Sequence, residues 1–526
     1  MHRCQPLHWA ALCASLLILS GCATVQSSHH FDHPVSVGLS DPQDTALGGR
    51  VSALAASHPG ASGFHILTAG VDGLLTRIQM IDAAQKSLDL QYFIFRGDTT
   101  GQLILAALRR AAARGVAIRL LVDDGDTLEG DERVLALRAE PNVDLRVFNP
   151  FRYRGHNRLL RAVEFFATLA RLDYRMHNKL LLVDNSLALI GGRNIGDEYF
   201  QVDPQGQFAD DDVFVAGPVV QTLSGSFDEF WNSQFAVPIA ALTRQSAEDL
   251  RAARHHHPQA RIDGVDYSAR IASGEPFASL LDGRLELVWA TAEVLSDSPD
   301  KRSVEAGEPG RTMVRGVLER ARQAQREFLM INPYIVPTGA ESRMLEELRG
   351  RDVRVGIVTD SLQSTRDVLV YAGYVHSRLP LLREGVELYE VRAQLGTTRG
   401  SGQTARVSRL GKFGLHAKLM VFDRQRIFIG SMNFDERSRH LNTEIGLIIE
   451  SAALADLTAA RFNAMALPPN AYRPSLVGST GAQGGRLQWT TQENGLTVTY
   501  DKEPSPSRWR RFITGLLAWL PVRQEL

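Results

Sequence analysis

The stretch HNKLLLVDNSLALIGGRN, running from His177 to Asn194, decides the fold of this chain. Its apolar run predicts a buried strand, and the two glycines near its end predict a tight turn. Side chains of an extended chain alternate between faces, so His177 and Lys179 point to the same side. The stretch therefore predicts an imidazole, an ammonium and an amide within one small region.

A second stretch, HAKLMVFDRQRIFIGSMN from His416 to Asn433, repeats the pattern. Both copies consist of H-x-K, four residues, D, six residues and G-[GS]-x-N. The shared positions are His177, Lys179, Asp184, Gly191, Gly192 and Asn194 in the first copy, and His416, Lys418, Asp423, Gly430, Ser431 and Asn433 in the second. A β-hairpin with polar ends explains one copy but leaves the identical spacing of the two unexplained.

The surroundings of the motif are duplicated as well. The segments SLDLQYFIF and VAIRLLVDD have the composition of strands, and GQLILAALRRAAARG between them has helical spacing. The same order recurs as EFLMINPYIV, SRMLEELRGR and DVRVGIVTDS, and the second strand of each copy ends on an aspartate, Asp123 or Asp360. Strands alternating with helices indicate an α/β fold, and duplication allows the two halves to pack about a pseudo-twofold axis. Both motifs then converge on one pocket.

The two histidines suit a two-step displacement at phosphorus. We take His177 as the nucleophile that forms a phosphohistidine, and His416 as the general acid and base. Because the two motifs are equivalent, the sequence leaves the order of these roles open.

The remaining motif positions divide into phosphate-binding and structural residues. Lysine offers compact positive charge and asparagine neutral donors, which predicts a phosphate-binding set of Lys179, Lys418, Asn194 and Asn433. Small residues let the backbone approach closely, which predicts structural roles for Gly191, Gly192, Gly430 and Ser431. A role in a turn or an ion pair is predicted for Asp184 and Asp423.

A catalytic histidine needs an acceptor on its second ring nitrogen, which fixes the tautomer and stabilises the imidazolium. Asp212, in the run ADDD, and Glu444 each begin an apolar strand, and we predict that they are the two orienting carboxylates. The alternative is a solvated acid at a strand end. Since the lysines already supply positive charge and no cluster of metal-ligating carboxylates is evident, we expect neither a metal nor another cofactor.

The composition is that of a globular protein, with 526 residues, 44% hydrophobic and 22% charged, and a net charge of −1 that gives no sign of nucleic-acid binding. The N-terminus combines Arg3 with the apolar stretch LHWAALCASLLILSGCA, which is typical of a secretory signal. Its end, LSGC, resembles the bacterial lipobox and predicts lipidation at Cys22, with a plain signal peptide as the alternative. Ala23 follows Cys22, and this resembles the bacterial sorting signal for the outer membrane, which implies an anchor there that faces the periplasm.

The paired motifs resemble those of the phospholipase D superfamily, over about Gly63 to Glu450. The resemblance implies two fused halves, each a mixed β-sheet flanked by helices, with one shared active site. It also implies transfer or hydrolysis of a phosphodiester through a phosphohistidine. It leaves the substrate open, because the superfamily includes nucleases as well as lipid enzymes.

Further segments are similar to the bacterial cardiolipin synthases of the C type, among them FADDDVFVAGPVV, FDEFWN, NPYIVPT, TDSLQSTRDVLVYAGY and the tail that begins RLQWTTQ. This similarity implies a membrane-associated phosphatidyltransferase that makes cardiolipin, with phosphatidylglycerol and phosphatidylethanolamine as substrates. One alternative is a phospholipase D that hydrolyses phospholipids to phosphatidic acid. A second is a phosphodiesterase or nuclease, which the predicted lipid anchor and the apolar tail disfavour. A third is a non-enzymatic envelope-binding protein with a relic site, which the two intact motifs disfavour. Whether a partner protein is required stays open.

Two segments suit a lipid substrate by their own residues. One helical face of the tail carries Trp509, Phe512, Ile513, Leu516, Leu517 and Leu520. This helix either lies in the membrane interface or docks on the protein core. The segment from Phe151 to Arg175 interleaves six arginines with aromatic residues. It is predicted to contact lipid headgroups or nucleic-acid phosphates, with a structural helix as the alternative.

These features divide the chain into six parts. They are a lipoprotein signal peptide (1–21), a lipidated N-terminus and tether (22–60), a first phospholipase-D-like half (61–240), a linker or insertion (241–305), a second phospholipase-D-like half (306–465) and a C-terminal extension with an amphipathic helix (466–526).

Overall fold

The computed structural model describes residues 34–125, 134, 136–153, 158–202, 206–242, 275–302, 312–393, 412–478, 485–505 and 507–519. The signal peptide predicted for residues 1–21 and the predicted lipidation site at Cys22 lie outside these residues. No helix among those described combines the length and the apolar character needed to cross a membrane.

The first half of the duplicated chain supplies eleven of the described strands. They are β1 (Ser62–Leu67), β2 (Ser87–Tyr92), β3 (Ala117–Asp123), β4 (Val143–Phe148), β5 (Arg175–Met176), β6 (Lys179–Val183), β7 (Leu187–Gly191), β8 (Gly206–Ala209), β9 (Asp212–Ala216), β10 (Ala236–Pro238) and β11 (Val288–Ala290). Its helices are α1 (Ala46–Ala55), α2 (Gly70–Ala83), α3 (Thr99–Ala113), α4 (Arg158–Ala167), α5 (Leu169–Leu172), α6 (Val219–Trp231), α7 (Ile239–Leu242) and α8 (Phe277–Leu281).

The second half and the C-terminal extension supply the other described elements. The strands are β12 (Ala292–Ser296), β13 (Glu327–Ile331), β14 (Arg354–Asp360), β15 (Glu387–Val391), β16 (Lys412–Leu415), β17 (Leu419–Phe422), β18 (Arg426–Gly430), β19 (Asn442–Thr443), β20 (Ile445–Ile449), β21 (Ala471–Val477), β22 (Arg486–Glu493) and β23 (Leu496–Tyr500). The helices are α9 (Met313–Arg322), α10 (Gly339–Gly350), α11 (Val368–Arg383), α12 (Glu436–His440), α13 (Ala452–Ala466) and α14 (Arg508–Ala518).

Two large mixed sheets carry the duplication. The first has the order β10-β4-β3-β2-β6-β7-β9-β1-β11, and the second has the order β12-β20-β18-β17-β13-β14-β15-β21-β22-β23. Strands β2, β3 and β4 are parallel and β2 meets β6 antiparallel, an arrangement that β13, β14, β15 and β17 repeat. The predicted fold, two related α/β halves that each contain a mixed sheet flanked by helices, is confirmed.

The central strands are buried on both faces, which explains their continuous apolar sequence. One core cluster is shared by the two halves and includes Leu180 and Ile190 of the first sheet, Leu419 and Ile429 of the second, and Trp231 of α6. Two further clusters lie between each sheet and its own helices. The shared core packs the two halves together, so the strand ends that carry the motifs are held in place.

Two stretches predicted as connections belong to the fold. Strands β11 and β12, within the predicted linker 241–305, add an edge strand to the first and the second sheet respectively. In the predicted tether, the N–H of Ser36 donates to Asn232 and the N–H of Gly38 donates to Asp228, both in or after α6. These pairings join residues that are distant in sequence, so local composition did not indicate them.

Candidate active site

Two short strand pairings between the halves create the site. β5 runs parallel to β19, and β8 runs parallel to β16, so each half contributes a strand to the other. His177 follows β5, and its N–H donates to the Thr443 carbonyl at 2.9 Å. His416 follows β16, and its N–H donates to the Ala209 carbonyl at 2.8 Å. The backbone of each motif histidine is therefore held by the opposite half.

Each imidazole also contacts a carboxylate from the opposite half. His177 Nδ1 lies 2.9 Å from Glu444 Oε2, and His416 Nδ1 lies 2.6 Å from Asp210 Oδ2. Glu444 additionally accepts hydrogen bonds from the hydroxyl of Ser431 and, at 2.8 Å, from that of Ser438. An Nδ1–H that donates to a carboxylate leaves Nε2 as the nitrogen with a free lone pair. Both rings are thus arranged to react at Nε2.

The prediction that Asp212 orients an imidazole is wrong. Asp212 lies buried between two guanidiniums, 2.8 Å from Arg77 Nη1 and 3.0 Å from Arg193 Nη1. Burial raises the pKa of Asp212, but the two guanidiniums outweigh it and hold the pKa below its ordinary value. The negative charge of Asp212 is therefore balanced by two arginines of the first half, and its carboxylate does not orient a histidine.

The strand register explains why Asp210, and not Asp212, is the counterpart of Glu444. The motif glycine of the first half pairs with Asp212, and that of the second half pairs with Gly446. Asp210 and Glu444 each precede these partners by two residues, so they are structural counterparts. Both Asp210 and Asp212 belong to the run ADDD. This run indicated that an orienting carboxylate lies here but did not show which aspartate it is.

Both motif lysines are buried and bonded to their own motif. The Nζ of Lys179 and that of Lys418 each donate to the carbonyl of the histidine two residues earlier, at 2.6 Å. Burial lowers the pKa of Lys418 to about 8 and the pKa of Lys179 well below its ordinary value. An ammonium has three donor hydrogens, so each lysine can bond a phosphate oxygen in addition to this carbonyl.

The electrostatics of the site favour neutral imidazoles before substrate binds. Burial lowers the pKa of His177 and of His416 well below the ordinary value, and the nearby lysine charges lower it further. Burial also raises the pKa of Glu444 to about 7 and that of Asp210 to about 6. A phosphodiester anion that balances the lysine charges would raise the histidine pKa values. Arrival of the substrate therefore favours the protonated form that a general acid needs.

The two motif asparagines have different surroundings. Asn194 Oδ1 accepts from the N–H of Ile94 at 3.2 Å, and its Nδ2 donates to the hydroxyl of Tyr199 at 3.0 Å. Asn433 Oδ1 is buried and has no hydrogen-bond partner within the described part of the chain. The first amide is held by the protein, so the equal roles predicted for the two asparagines do not follow from their contacts.

The motif aspartates anchor strands and lie away from the histidines. Asp184 accepts hydrogen bonds from the N–H groups of residues 85, 86 and 87, and Asp423 accepts from those of residues 325, 326 and 327, all within 3.0 Å. Both aspartates begin a hairpin turn in which two consecutive residues have positive φ. The contacts fit the predicted turn role, with backbone N–H groups as partners.

The motif glycines permit a close approach between neighbouring strands. A methyl group on Gly191 would overlap the backbone of Asp211 and Asp212, and one on Gly430 would overlap the backbone of Ile445 and Gly446. These glycines therefore bring the strand that carries each orienting carboxylate close to the motif.

Two further aspartates, which the sequence analysis noted only as repeated strand ends, support the histidines. Asp123 accepts from the N–H of Met176 at 2.9 Å, and Asp360 accepts from the N–H of Leu415 at 3.0 Å. In each half this N–H belongs to the residue immediately before the motif histidine. Their recurrence at the end of the second strand of each copy was a signal that could have identified them. Among the described residues, no three His, Cys, Asp or Glu side chains could hold a metal ion together.

Comparison with known proteins agrees with this geometry. The sequence profile of the family described as "Cardiolipin synthase, PLD-like domain" matches residues 77–231 and 317–466, which contain both motifs. Cardiolipin synthase C of Escherichia coli (strain K12) is 34% identical over 483 residues, which cover 90% of this chain and 98% of that protein. The major cardiolipin synthase ClsA of Bacillus subtilis (strain 168) is 24% identical, over 76% of this chain and 67% of that protein.

A solved structure supports the fold. The crystal structure of phosphatidylserine synthase from Haemophilus influenzae Rd KW20 superposes with a TM-score of 0.51, covering 80% of this chain and 90% of that chain. The sequence identity is 14%, so this likeness concerns the arrangement of strands and helices.

Proposed function

Since this chain belongs to the phospholipase D superfamily and is a phosphatidyltransferase of the cardiolipin synthase type, we propose that it makes cardiolipin from two phospholipids through a phosphohistidine intermediate. The donor is phosphatidylglycerol or phosphatidylethanolamine, and the acceptor is the headgroup hydroxyl of phosphatidylglycerol. Relatives that match 90% and 76% of this chain carry the name cardiolipin synthase, which supports this choice of product.

The crossed pairing of imidazoles and carboxylates carries the mechanistic proposal. Glu444 and Asp210 come from opposite halves, and each carboxylate is hydrogen-bonded to Nδ1 of the histidine in the other half. Two Nε2 atoms are thereby left for chemistry beside two buried lysines. One imidazole can attack phosphorus while the other handles the proton, which is what a two-step transfer requires.

In the first step, His177 Nε2 attacks the phosphorus of the donor lipid. A phosphorus–nitrogen bond forms, and the bond from phosphorus to the headgroup oxygen breaks. The proton on His416 Nε2 passes to that oxygen, so glycerol or ethanolamine leaves with a hydroxyl group and not as an alkoxide. The lysines, with Asn433 beside them, bind the phosphoryl oxygens, whose negative charge increases in the transition state.

In the second step, His416 Nε2 takes the proton from the headgroup hydroxyl of phosphatidylglycerol. The hydroxyl oxygen attacks phosphorus and the phosphorus–nitrogen bond breaks, which releases cardiolipin and restores the neutral His177. Water in place of this alcohol would give phosphatidic acid. The choice between the two acceptors thus depends on exclusion of water, and His177 and His416 are only 6% and 8% exposed.

The proposal is tested with purified protein in mixed micelles that contain isotopically labelled phosphatidylethanolamine and phosphatidylglycerol. Mass spectrometry should detect labelled cardiolipin with the wild-type protein and none with His177→Ala. Phosphatidic acid without cardiolipin would favour the hydrolase instead. Cleavage of plasmid DNA in a parallel assay, with both lipids untouched, would favour the nuclease.

A second experiment assigns the two histidines. Phosphatidyl-p-nitrophenol has a leaving group that needs no general acid, so the first step can occur without His416. We expect His416→Ala to release about one equivalent of p-nitrophenol in a burst, and His177→Ala to release none. The opposite result would exchange the roles of the two histidines.

A lipid anchor at Cys22 completes the proposal and would hold the enzyme at the periplasmic face of the outer membrane. Multiple acyl chains at one cysteine would give stable attachment. Incorporation of labelled palmitate in cells should be lost in Cys22→Ser, and fractionation should then find the protein released from the membrane. Labelling that persists in this variant would contradict the anchor.

A further inference from the structure

Helix α14 exposes its large apolar side chains and packs against the protein with its opposite side, which is the reverse of the usual orientation. Its buried side chains are Thr514 and Ala518, which face α11. Its large apolar side chains Trp509, Phe512, Leu516 and Trp519 are between 59% and 91% exposed. These four residues lie within one arc of the helix, because they follow a spacing of three and four residues. A surface helix normally buries such a stripe.

Polar contacts attach α14 to the second half and to the segment of the extension that precedes the helix. The Arg510 guanidinium donates to the Thr365 carbonyl, and Arg511 Nε donates to the Glu503 carbonyl at 3.0 Å. The ring of His376, in α11, contacts the carbonyl of Ala518. These contacts hold the helix by its polar side and direct the aromatic side away from the protein.

Helix α4 of the first half shows the same inversion. Its Arg161 donates to the Asp124 carbonyl at 3.0 Å, and its Glu164 accepts from the N–H groups of Arg152 and Tyr153 at 2.7 Å. On the opposite side, Val163 and Phe166 are 56% and 75% exposed. A polar side again faces the protein, and an apolar side faces outward.

The two helices are tied to equivalent places in the two halves. Arg161 of α4 holds Asp124, the neighbour of Asp123, which supports the residue before His177. Arg510 of α14 holds Thr365, whose N–H donates to the carbonyl of Ser361, directly after β14. Asp360, the last residue of β14, supports the residue before His416. In each half, an inverted helix is therefore tied to the loop that follows the strand whose last aspartate supports the motif histidine.

We propose that the exposed apolar faces of α4 and α14 form one docking surface for a phospholipid bilayer, across the mouth of the active site. This inference rests on the proposed function, because it is a lipid substrate that explains why the site must open toward a bilayer. Val163 and Phe166 insert on one side, and Trp509, Phe512 and Trp519 insert on the other. Arg152 and Arg508, whose side chains are both exposed, meet anionic headgroups.

A bilayer fits this surface better than a second copy of the chain. Both motif histidines are almost fully buried, so a lipid phosphate must be brought to the mouth of the site. Apolar side chains on two sides of that mouth let lipid pass from the bilayer without crossing water. A protein partner on the same faces would cover the entrance.

The direct test is quenching of tryptophan fluorescence by phospholipids with brominated acyl chains, in vesicles of phosphatidylethanolamine and phosphatidylglycerol. The protein carries His177→Ala throughout, so binding is measured without turnover. We expect bromolipids to quench the protein strongly, and the pair Trp509→Phe and Trp519→Phe, which keeps the surface apolar, to remove most of that quenching. Trp489→Phe, at a buried position, is the matched control and should leave it unchanged.

A second measurement follows vesicle flotation of the chain from residue 22 onward with Cys22→Ser, so that no acyl chain contributes. We expect Phe512→Ser with Leu516→Ser, and separately Val163→Ser with Phe166→Ser, to weaken flotation about tenfold or more. The exposed leucines Leu457 and Leu496, outside both helices, provide control substitutions to serine that should have little effect.

Each outcome decides one question. Unchanged quenching and flotation in the variants would overturn the docking surface. Light scattering provides a second check: variants that lose the mass of a dimer but float as before would show that the surface binds a second copy of the chain. Cardiolipin synthesis by a protein that does not bind these vesicles would refute this inference alone. Bilayer contact by a protein that forms no cardiolipin would refute the proposed function alone.

Discussion

Neutralising the carboxylate that faces His416 should slow the reaction without unfolding the protein. We consider Asp210→Asn, which keeps the size of the side chain and can still accept a hydrogen bond from Nδ1. Burial raises the pKa of Asp210 to about 6, so its surroundings disfavour the charged form and a neutral amide there should cost the fold little. The substitution therefore removes mainly the charge that stabilises a protonated His416.

The magnitude follows from the geometry. Nδ1 and Oδ2 are 2.6 Å apart, which places the centres of the two charged groups at a separation of about 4 Å. At an effective dielectric constant of about 20, an ion pair at that separation interacts by about 4 kcal/mol. A rate falls tenfold for each 1.36 kcal/mol of lost transition-state stabilisation, so kcat should fall about 10³-fold.

The matched control is Asp212→Asn, two residues away in the same acidic run. This substitution leaves the guanidiniums of Arg77 and Arg193 buried without their carboxylate. Breaking a buried ion pair destabilises a protein by about 3–5 kcal/mol, so we expect a lower Tm and a kcat per folded molecule close to wild type.

The assay measures cardiolipin formation in mixed micelles, with the folded fraction determined by thermal unfolding at the same pH. Wild-type kcat in Asp210→Asn, combined with a 10³-fold loss in Asp212→Asn, would refute the assignment of Asp210 to His416.

Three further predictions concern stability, pH and metal. Asp184→Ala should lower the free energy of unfolding by about 3 kcal/mol, because three backbone N–H groups lose their acceptor; urea unfolding measures this, and an unchanged midpoint would contradict the anchoring role. Burial raises the pKa of Asp360 to about 7, so the folded protein binds this proton more tightly than the unfolded chain and loses stability as the pH rises toward 7. Asp360→Asn removes that loss, so its stability relative to wild type should increase between pH 5 and pH 8 in urea unfolding; a constant difference would show that this group does not titrate as described. Prolonged treatment with a chelator should leave cardiolipin formation unchanged, whereas a loss that added metal restores would contradict phosphate binding without a metal ion.

The sequence predicted the fold well because its signals are repeated. Apolar strands buried on both faces differ clearly from amphipathic helices, and the duplication of H-x-K and its surroundings indicated two related halves. The same reasoning missed β11 and β12, which are short and add one edge strand to each sheet. Their pairing depends on partners far along the chain, and no local pattern encodes that distance.

The sequence identified the histidines and lysines of the candidate site but misjudged one acid. Asp210 and Asp212 are chemically identical and two residues apart, so their side chains were equal candidates before the strand register was known. Only the register between β7 and β9 shows that Asp212 faces inward to two arginines while Asp210 reaches His416.

The amino-acid sequence by itself determined the duplication, the α/β class and the residue types that suit transfer at phosphorus, because spacing and side-chain chemistry are local properties. Tertiary structure decided which carboxylate orients which imidazole. Each pair joins the two halves, and its carboxylate lies more than 200 residues from its imidazole in sequence. Tertiary structure also decided the direction of α14. An amphipathic pattern shows that a helix has two faces, but only the contacts of its polar face show that the apolar one points outward.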